Sequence, residues 1–202
     1  MMPGWIPSPC GETPSHAHDH LDKVIVVTAA SPPTPRPPAF LAASRHHFDT
    51  AKLASDKQLR ISADHLAGLA AECAIKAILV DFLGSRIKKS GKAYSPDLKA
   101  KAQEKMQRDN LDRIPEQDYW HGHLPDVWGH FTAVVQGRPG RSAGPDFTGL
   151  LGQNPFDGWD VAHRYCDDTE ITEALVAQHI QAARTLIAAH EQARKLGTGR
   201  VL

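Results

Sequence analysis

The segment from Leu59 to Leu83 restricts the possible folds of this chain more than any other part of the sequence. It is rich in Ala, Leu and Ile, and the preceding stretch Ala39–Ala67 contains no Gly or Pro. On a helical wheel of about 100° per residue, apolar side chains cover most of the circumference of the segment. A helix that is apolar nearly all round belongs in the middle of a bundle. We therefore predict a central helix over 58–83, ended by Gly84.

Polar side chains form a narrow line along this predicted helix. His65, Glu72 and Lys76 fall within roughly 40° of one another on the wheel, and we call these three residues the polar line. In one interpretation they are a solvent-facing strip with an ordinary Glu72–Lys76 pair, worth about 0.2–0.5 kcal/mol. In the other they are a partly buried network facing a neighbouring helix or a ligand, where an unpaired charge costs several times more. Both interpretations remain open at the level of sequence.

The same periodic patterns predict four more helices and one long loop. The loop is rich in Gly and Pro, and one short helix contains Gly129. The predicted helices cover Ala39–Lys57, Asp97–Arg108 and Leu124–Gln136, with a last helix from Asp168 or Thr169 to Leu196; the loop covers Arg138–Asp157. The helix at Asp97 follows the start signal Ser95-Pro96-Asp97. The sequence therefore predicts an all-α, up-and-down helical bundle over residues 39–197.

Residues 1–38 differ in composition from the rest of the chain. Five prolines lie between Pro32 and Pro38, and each removes a backbone donor and resists regular structure. The segment Lys23–Thr28 has the composition of a single strand, with no second strand evident nearby. The alternating histidines of His16–His20 can chelate zinc or nickel adventitiously, and we predict no functional metal site there. The prediction for residues 1–38 is a disordered, Pro- and His-rich tail.

Charge and cysteine content narrow the class of protein. The 23 basic and 23 acidic side chains balance, so net charge identifies neither a nucleic-acid partner nor a basic one. Three cysteines are too few for a secreted disulfide scaffold, and Cys73 lies in an apolar run where an inert thiol is expected. No stretch approaches the roughly 20 apolar residues of a membrane span, and no secretory signal is recognisable. The predicted location is the cytoplasm, and no cofactor is predicted.

The predicted central helix also carries a family resemblance. Its run ADHLAGLAAECAIKAIL resembles the signature helix of HEPN-domain proteins, in which a helix rich in small residues carries an Ala-Glu and Lys-Ala pattern. His121–Leu124 resembles the family's entry into a short helix, and Trp159–Tyr165 resembles the segment before its last long helix. The resemblance extends over residues 39–196, and it rests on the order of these three matches along the chain.

The resemblance implies a fold and two kinds of activity. HEPN proteins are up-and-down helical bundles, usually dimeric, that are often encoded with nucleotidyltransferases or in toxin–antitoxin, phage-defence and RNA-processing systems. Active members are metal-independent ribonucleases that use an Arg and a His, a few residues apart, on a late helix. Other members lack this pair and act as binding or partner modules.

Two Arg–His spacings in the chain fit the pair that the resemblance implies. Arg60 and His65 lie in the predicted central helix, where the family does not carry its catalytic residues. Arg184 and His190 lie on the predicted last helix, which is the matching location. Thr185 is the polar residue that usually follows the Arg in this family. On a straight helix they point about 120° apart, so they share a groove only across a dimer seam. There Arg184 would hold a phosphate and His190 would transfer a proton. Otherwise Arg184 is solvated and His190 borders the apolar stripe.

Three further groups of residues are candidates for binding. Arg164, next to Tyr165, is predicted to pair with Glu72 across the bundle, which would explain an acid in so apolar a helix. The basic run Arg86–Lys92 is the best candidate for phosphate contacts, although such runs are usually solvated loops. A set of aromatic side chains is expected in the core, with stacking on RNA bases as the alternative: Tyr119, Trp120, Trp128, Phe131 and Trp159.

Together these patterns predict an accessory module that binds a nucleotide or RNA, in a bacterial defence or toxin–antitoxin setting. The residues predicted to bind are His65, Glu72, Lys76, Arg164 and Tyr165, and no metal ligands are predicted. The first alternative is an active, metal-independent endoribonuclease with Arg184 and His190 as catalytic residues. The second is a structural interaction subunit of a larger complex. The predicted partners are a second copy of the chain, RNA or a nucleotide, and a protein such as a nucleotidyltransferase.

Overall fold

The structure, a computed structural model, describes residues 38–138, 145–167 and 169–197. Within these ranges the chain forms five α-helices and one small hairpin, so the predicted all-α class is confirmed. The elements are α1 (Phe40–Asp56), α2 (Arg60–Asp81), β1 (Arg86–Ile87), β2 (Ala93–Tyr94), α3 (Pro96–Arg108), α4 (Asp126–Gln136) and α5 (Glu173–Leu196). Three short 3-10 helices cover Glu116–Asp118, Thr148–Leu150 and Val161–Tyr165. Apart from Pro38, the predicted tail lies outside the described residues, with its strand at 23–28 and its histidines at 16–20.

Helix α2 lies in the middle of the fold, as its composition predicts. Thirteen of its 22 residues are buried, and α1, α4 and α5 pack around it. Ala63, Ala67, Ala70 and Ala74 have no exposed surface. Small side chains allow neighbouring helices to approach closely and to pack without voids. The prediction of a central helix is confirmed.

Gly68 marks the closest approach of a neighbouring side chain to α2. A Cβ atom at this position would lie 2.1 Å from the Trp159 ring, and Trp159 is 2% exposed. The indole Nε1 donates a hydrogen bond to the backbone carbonyl of Asp64, one turn earlier, at 3.3 Å. The lack of a side chain at Gly68 thus creates the slot that holds Trp159 against the helix.

The helices do not all alternate in direction. α1 and α2 form an antiparallel pair, joined by a tight turn in which Gln58 has a φ of 58°. α5 lies beside α2 and runs in the same direction, because Asp64 contacts His179 near the start of both helices. Asp81 contacts His190 near the end of both. The long connection between α4 and α5 therefore returns the chain to the starting end of α2.

Two predicted helix starts have different outcomes. Ser95 caps α3, since its hydroxyl accepts a hydrogen bond from the backbone N–H of Leu98 at 3.2 Å, as the Ser-Pro-Asp signal predicts. The start predicted for α5, at 168 or 169, is wrong, because α5 begins at Glu173. There the Thr172 hydroxyl accepts a hydrogen bond from the N–H of Leu175 at 3.2 Å. This hydrogen bond satisfies one of the backbone N–H groups that the first turn of a helix leaves without an intrahelical partner.

A short hairpin follows α2, where the sequence pattern predicts a loop. Its antiparallel register pairs Arg86 with Tyr94 and Ile87 with Ala93. Tyr94 also forms an isolated bridge with Trp120, so the hairpin is tied to the loop that leads into α4. Each strand has two residues, which is too short for an alternation of side chains to be recognised.

Helix α4 packs one apolar face into the core. Val127, Phe131 and Val134 are buried in the main cluster, whereas Gly129 lies on the exposed side with open space around it. The glycine therefore weakens the helix without interrupting it. Among the described helices, none combines the length and hydropathy needed to cross a membrane.

Candidate functional site

The Glu72–Lys76 part of the polar line is buried. Glu72 is 5% exposed and Lys76 is 9% exposed, and Lys76 Nζ donates to Glu72 Oε1 at 2.7 Å. Charges this enclosed have lost most of their hydration, so each requires the other. The geometry supports a buried network rather than a solvent-facing strip.

The second carboxylate oxygen of Glu72 holds the loop before α4. Glu72 Oε2 lies 3.1 Å from His123 Nδ1 and accepts a long hydrogen bond from the backbone N–H of Leu124 at 3.4 Å. One oxygen thus contacts a residue of the same helix, and the other contacts a loop more than 50 positions away. Partners on both oxygens allow the carboxylate to stay charged inside the fold.

His123 is the most accessible member of this network. Its side chain is 70% exposed, against 6% for the side chain of Glu72. When Nδ1 donates to the carboxylate, Nε2 on the opposite side of the ring keeps its lone pair. A carboxylate partner of this kind fixes the tautomer and the orientation of an imidazole. The exposed ring is therefore held in position and open to a ligand from solvent.

His65, the first residue of the polar line, has a different environment. Its ring stacks on the Trp159 indole, with centroids 5.9 Å apart and an interplanar angle of 14°. Its Nδ1 atom is buried and has no hydrogen-bond partner within the described ranges. Burial lowers the pKa of His65 and the Arg164 guanidinium lowers it further, against opposing effects of Asp64 and Glu72. The net effect favours the neutral form of the His65 ring.

His47 of α1 belongs to the same group of side chains. Burial lowers its pKa and the adjacent His46 lowers it further, whereas the Glu72 carboxylate raises it. Because Glu72 acts on both His47 and His65, the pairing of α1 with α2 brings these three side chains near one another. We call the following residues the histidine cluster: His47, His65, Glu72, Lys76, His123 and Arg164.

The predicted ion pair between Arg164 and Glu72 is wrong. The Glu72 oxygens have other partners, and the Arg164 guanidinium lies 4.7 Å from the centre of the Tyr165 ring. Tyr165 is 76% exposed, so this cation–π pair is at the surface. Arg164 is still close enough to His65 to lower its pKa. The structure therefore puts Arg164 and Tyr165 at the exposed rim of the histidine cluster.

The two residues predicted to be catalytic lie in different environments. His190 is 2% exposed, its Nε2 lies 2.7 Å from the Asp81 carboxylate, and its ring centroid lies 5.0 Å from that of Phe82. Arg184 is exposed, and its guanidinium lies 5.7 Å from the centre of the Phe48 ring. A histidine so enclosed joins α5 to the end of α2 and does not reach a substrate. This geometry gives the catalytic interpretation no support.

A second carboxylate–histidine pair lies entirely inside the fold. Asp64 is 1% exposed and His179 is 2% exposed, and His179 Nδ1 lies 2.6 Å from Asp64 Oδ1. The opposite nitrogen, Nε2, lies 3.0 Å from the backbone carbonyl of Pro155, and Phe156 stacks on the ring. The pair joins α2, α5 and the long connection between α4 and α5. Its position inside the core makes it structural.

In the loop before α4, His121 is buried and His123 is exposed. His121 is 5% exposed, its Nε2 lies 2.8 Å from the Ser85 hydroxyl, and its ring packs edge-on against His130. Burial, with smaller effects of His130 and Lys76, lowers the pKa of His121 to about 3. Of the two histidines of this loop, only His123 is therefore available to a ligand.

The described residues provide neither a metal site nor a reactive thiol near the cluster. Within the described ranges, no group of three or more His, Cys, Asp or Glu side chains could hold a metal ion. Burial raises the pKa of Cys73 to about 11, with a further rise from Glu72 and an opposing effect of Lys76. The thiol is protonated at neutral pH, in agreement with the prediction that Cys73 is inert.

Part of the histidine cluster is predictable from the sequence pattern. The polar line provides His65, Glu72 and Lys76, whereas His47 and His123 are missed as contacts. The signal for His123 is the His-Gly-His-Leu run that enters the family resemblance. No periodic pattern predicts that His47 lies near Glu72, because the two residues belong to different helices. Local spacing does not determine how α1 packs on α2.

The family resemblance stays a prediction based on sequence motifs. No family model, no curated protein and no solved structure matches this chain.

Proposed function

We propose that this chain is a HEPN-like accessory module that binds a nucleotide or RNA at the histidine cluster. The observation that carries the proposal is the exposed His123 ring held in position by the buried Glu72 carboxylate. The bacterial defence or toxin–antitoxin setting, the homodimer and the nucleotidyltransferase partner remain predictions from the family resemblance.

The charges of the cluster favour an anionic ligand. Lys76 offsets the charge of Glu72, so the carboxylate does not repel a phosphate that approaches His123. Arg164 adds a permanent positive charge, and its planar guanidinium fits the geometry of phosphate oxygens. His123 adds a donor when it is protonated. The accessible side of the cluster is therefore cationic or neutral.

The dimensions of the cluster fit a nucleotide better than a small anion. His65, beside Arg164, and Glu72, beside His123, lie two turns apart on α2, about 10 Å along the helix axis. A phosphate at one end and a base at the other can span this distance. The exposed ring of Tyr165 offers an aromatic face for the base.

The two alternatives have less support. An active ribonuclease that uses Arg184 and His190 requires a histidine within reach of the substrate, and His190 is enclosed and already paired with Asp81. A purely structural subunit requires no cationic cluster around an oriented histidine. It predicts that no nucleotide binds.

Isothermal titration calorimetry with AMP, ATP and a short RNA tests the proposal. The variant His123→Ala/Arg164→Ala is expected to weaken nucleotide binding about tenfold or more, because both phosphate contacts are removed. Arg113→Ala is the matched control, since Arg113 is an exposed arginine outside the cluster. Unchanged binding by the double variant, or an equal loss in the control, would refute the proposal. A native protein that binds none of the three ligands would favour the structural subunit.

A further inference from the structure

The turn of the β1–β2 hairpin presents lysines beside aromatic rings. The turn closes through hydrogen bonds from Lys88 N to Lys92 O and from Gly91 N to Lys88 O, both at 2.9 Å. Gly91 has a φ of +81°, a conformation that glycine adopts without strain. Lys88 and Lys92 therefore leave the same side of a well-defined turn.

Both lysines lie over the Trp120 indole. The Lys88 and Lys92 ammonium groups are 4.3 Å and 4.2 Å from the ring centroid, within the range of a cation–π contact. A third ammonium group, that of Lys99, lies 5.8 Å from the centroid of Tyr119. We call Lys88, Lys92, Lys99, Tyr119 and Trp120 the aromatic–lysine patch.

Among the residues that the structure describes, no carboxylate neutralises the positive charge of this patch. Within the described ranges, none of its three lysines lies within 4.0 Å of a carboxylate oxygen. An aromatic ring orients an ammonium group without removing its charge. The surrounding segment Arg86–Arg108 contains eight basic residues and two acidic ones, although the whole chain has a net charge of zero. The patch is thus a local cationic surface in a neutral protein.

The patch adjoins the histidine cluster along the chain. Trp120 and His123 belong to one loop and are separated by three positions, so their Cα atoms lie within about 11 Å. The loop is held at both ends, because Tyr94 pairs with Trp120 and Glu72 binds His123. A short oligonucleotide can therefore contact both surfaces at once.

We infer that the aromatic–lysine patch binds the phosphodiester backbone of single-stranded RNA and extends the histidine cluster into a site for a polynucleotide. The inference rests on the proposed nucleotide-binding function and names its ligand class. Lysine ammonium groups contact phosphates, and when Lys88 and Lys92 turn from the half-buried Trp120 ring to phosphates, that ring can stack on an unpaired base. Paired bases in a duplex expose no such face, so single strands are preferred.

Fluorescence anisotropy with a labelled RNA of about a dozen nucleotides tests the inference, with AMP titrated in parallel by calorimetry. Lys88→Gln/Lys92→Gln is expected to weaken RNA binding about tenfold and to reduce the slope of log affinity against log salt by about 1 to 2. AMP binding stays unchanged. The matched control is Lys52→Gln/Lys57→Gln, which removes two exposed lysines at the opposite end of α2.

Trp120→Leu and Trp120→Phe separate stacking from charge. Trp120→Leu is expected to weaken RNA binding several-fold and Trp120→Phe less, with thermal melting used to verify that both variants fold. The inference fails if AMP and RNA bind equally well, if the control weakens RNA as much as the patch variant does, or if duplex RNA, polyglutamate or anionic vesicles compete as well as single-stranded RNA. If neither AMP nor RNA binds, both this inference and the proposed function fail.

Discussion

Glu72 and His123 are 51 positions apart in the chain, yet Oε2 of the buried carboxylate lies 3.1 Å from Nδ1 of the exposed imidazole. The other oxygen of the same carboxylate accepts a hydrogen bond from the Lys76 ammonium group. One acidic side chain thus neutralises a buried base and orients a surface histidine. Its substitution is expected to affect both stability and ligand binding.

Glu72→Gln should destabilise the fold by about 3–5 kcal/mol, because Lys76 would remain buried without an opposite charge. Urea denaturation measures the change. The double variant Glu72→Gln/Lys76→Met should recover most of the loss, since no buried charge is left unpaired. Glu191→Gln is the control: Glu191 pairs with the exposed Arg45, so a loss under about 1 kcal/mol is expected. A Glu72 variant as stable as this control would contradict the prediction.

Gly68→Ala should destabilise the protein by about 1–3 kcal/mol, since the added Cβ would lie 2.1 Å from the Trp159 ring. The matched control is Gly129→Ala in α4, where nothing lies within 4 Å of the added atom. There the higher helix propensity of Ala should stabilise the protein by up to about 1 kcal/mol. The midpoints of urea denaturation should therefore shift in opposite directions, and a shift of both in the same direction would exclude the close packing described for Trp159.

His121 should make the protein less stable at acidic pH. Its pKa is about 3 in the folded state, against about 6.5 in an unfolded chain, so between these values the unfolded state binds more protons. This contribution is fully present above about pH 6.5 and is lost as the pH falls toward 3. From pH 7.5 to 5.5 the expected loss is about 1.4 kcal/mol.

The variant His121→Gln tests this assignment through the slope of stability against pH. The substitution removes the titrating group. The free energy of unfolding of the variant should therefore fall less between pH 7.5 and 5.5 than that of the native protein, by the amount expected for His121. Denaturant titrations at several pH values measure both slopes. Equal slopes for the native protein and the variant would show that His121 does not titrate as its burial requires.

His190→Ala should destabilise the fold by about 2–4 kcal/mol, because it opens a cavity and removes the contact with Asp81. Arg184→Ala should cost less than about 1 kcal/mol, since Arg184 is exposed and contributes one cation–π contact with Phe48. An RNA-cleavage assay in EDTA completes the comparison. Cleavage by the native protein that both substitutions abolish, without unfolding the protein, would restore the catalytic interpretation of this pair.

Parts of the fold that depend on local patterns were predictable. The central position of α2 follows from its apolar circumference, and the start of α3 follows from the Ser95 cap. The hairpin of Arg86–Tyr94 was not predictable, because strands of two residues carry no periodicity. The start of α5 at Glu173 is not predictable, because several residues before it also resemble a helix start and only the Thr172 cap in the structure distinguishes them.

Composition alone requires that one helix be enclosed by others, because only burial removes so much apolar surface from water. The same composition identifies Glu72 and Lys76 as charges that such a helix must accommodate. The partners of the buried acids depend on the folded chain: His123 reaches Glu72 across 51 positions, and His179 reaches Asp64 across 115. Contacts of this range depend on the path of the whole chain, and no local periodicity encodes that path.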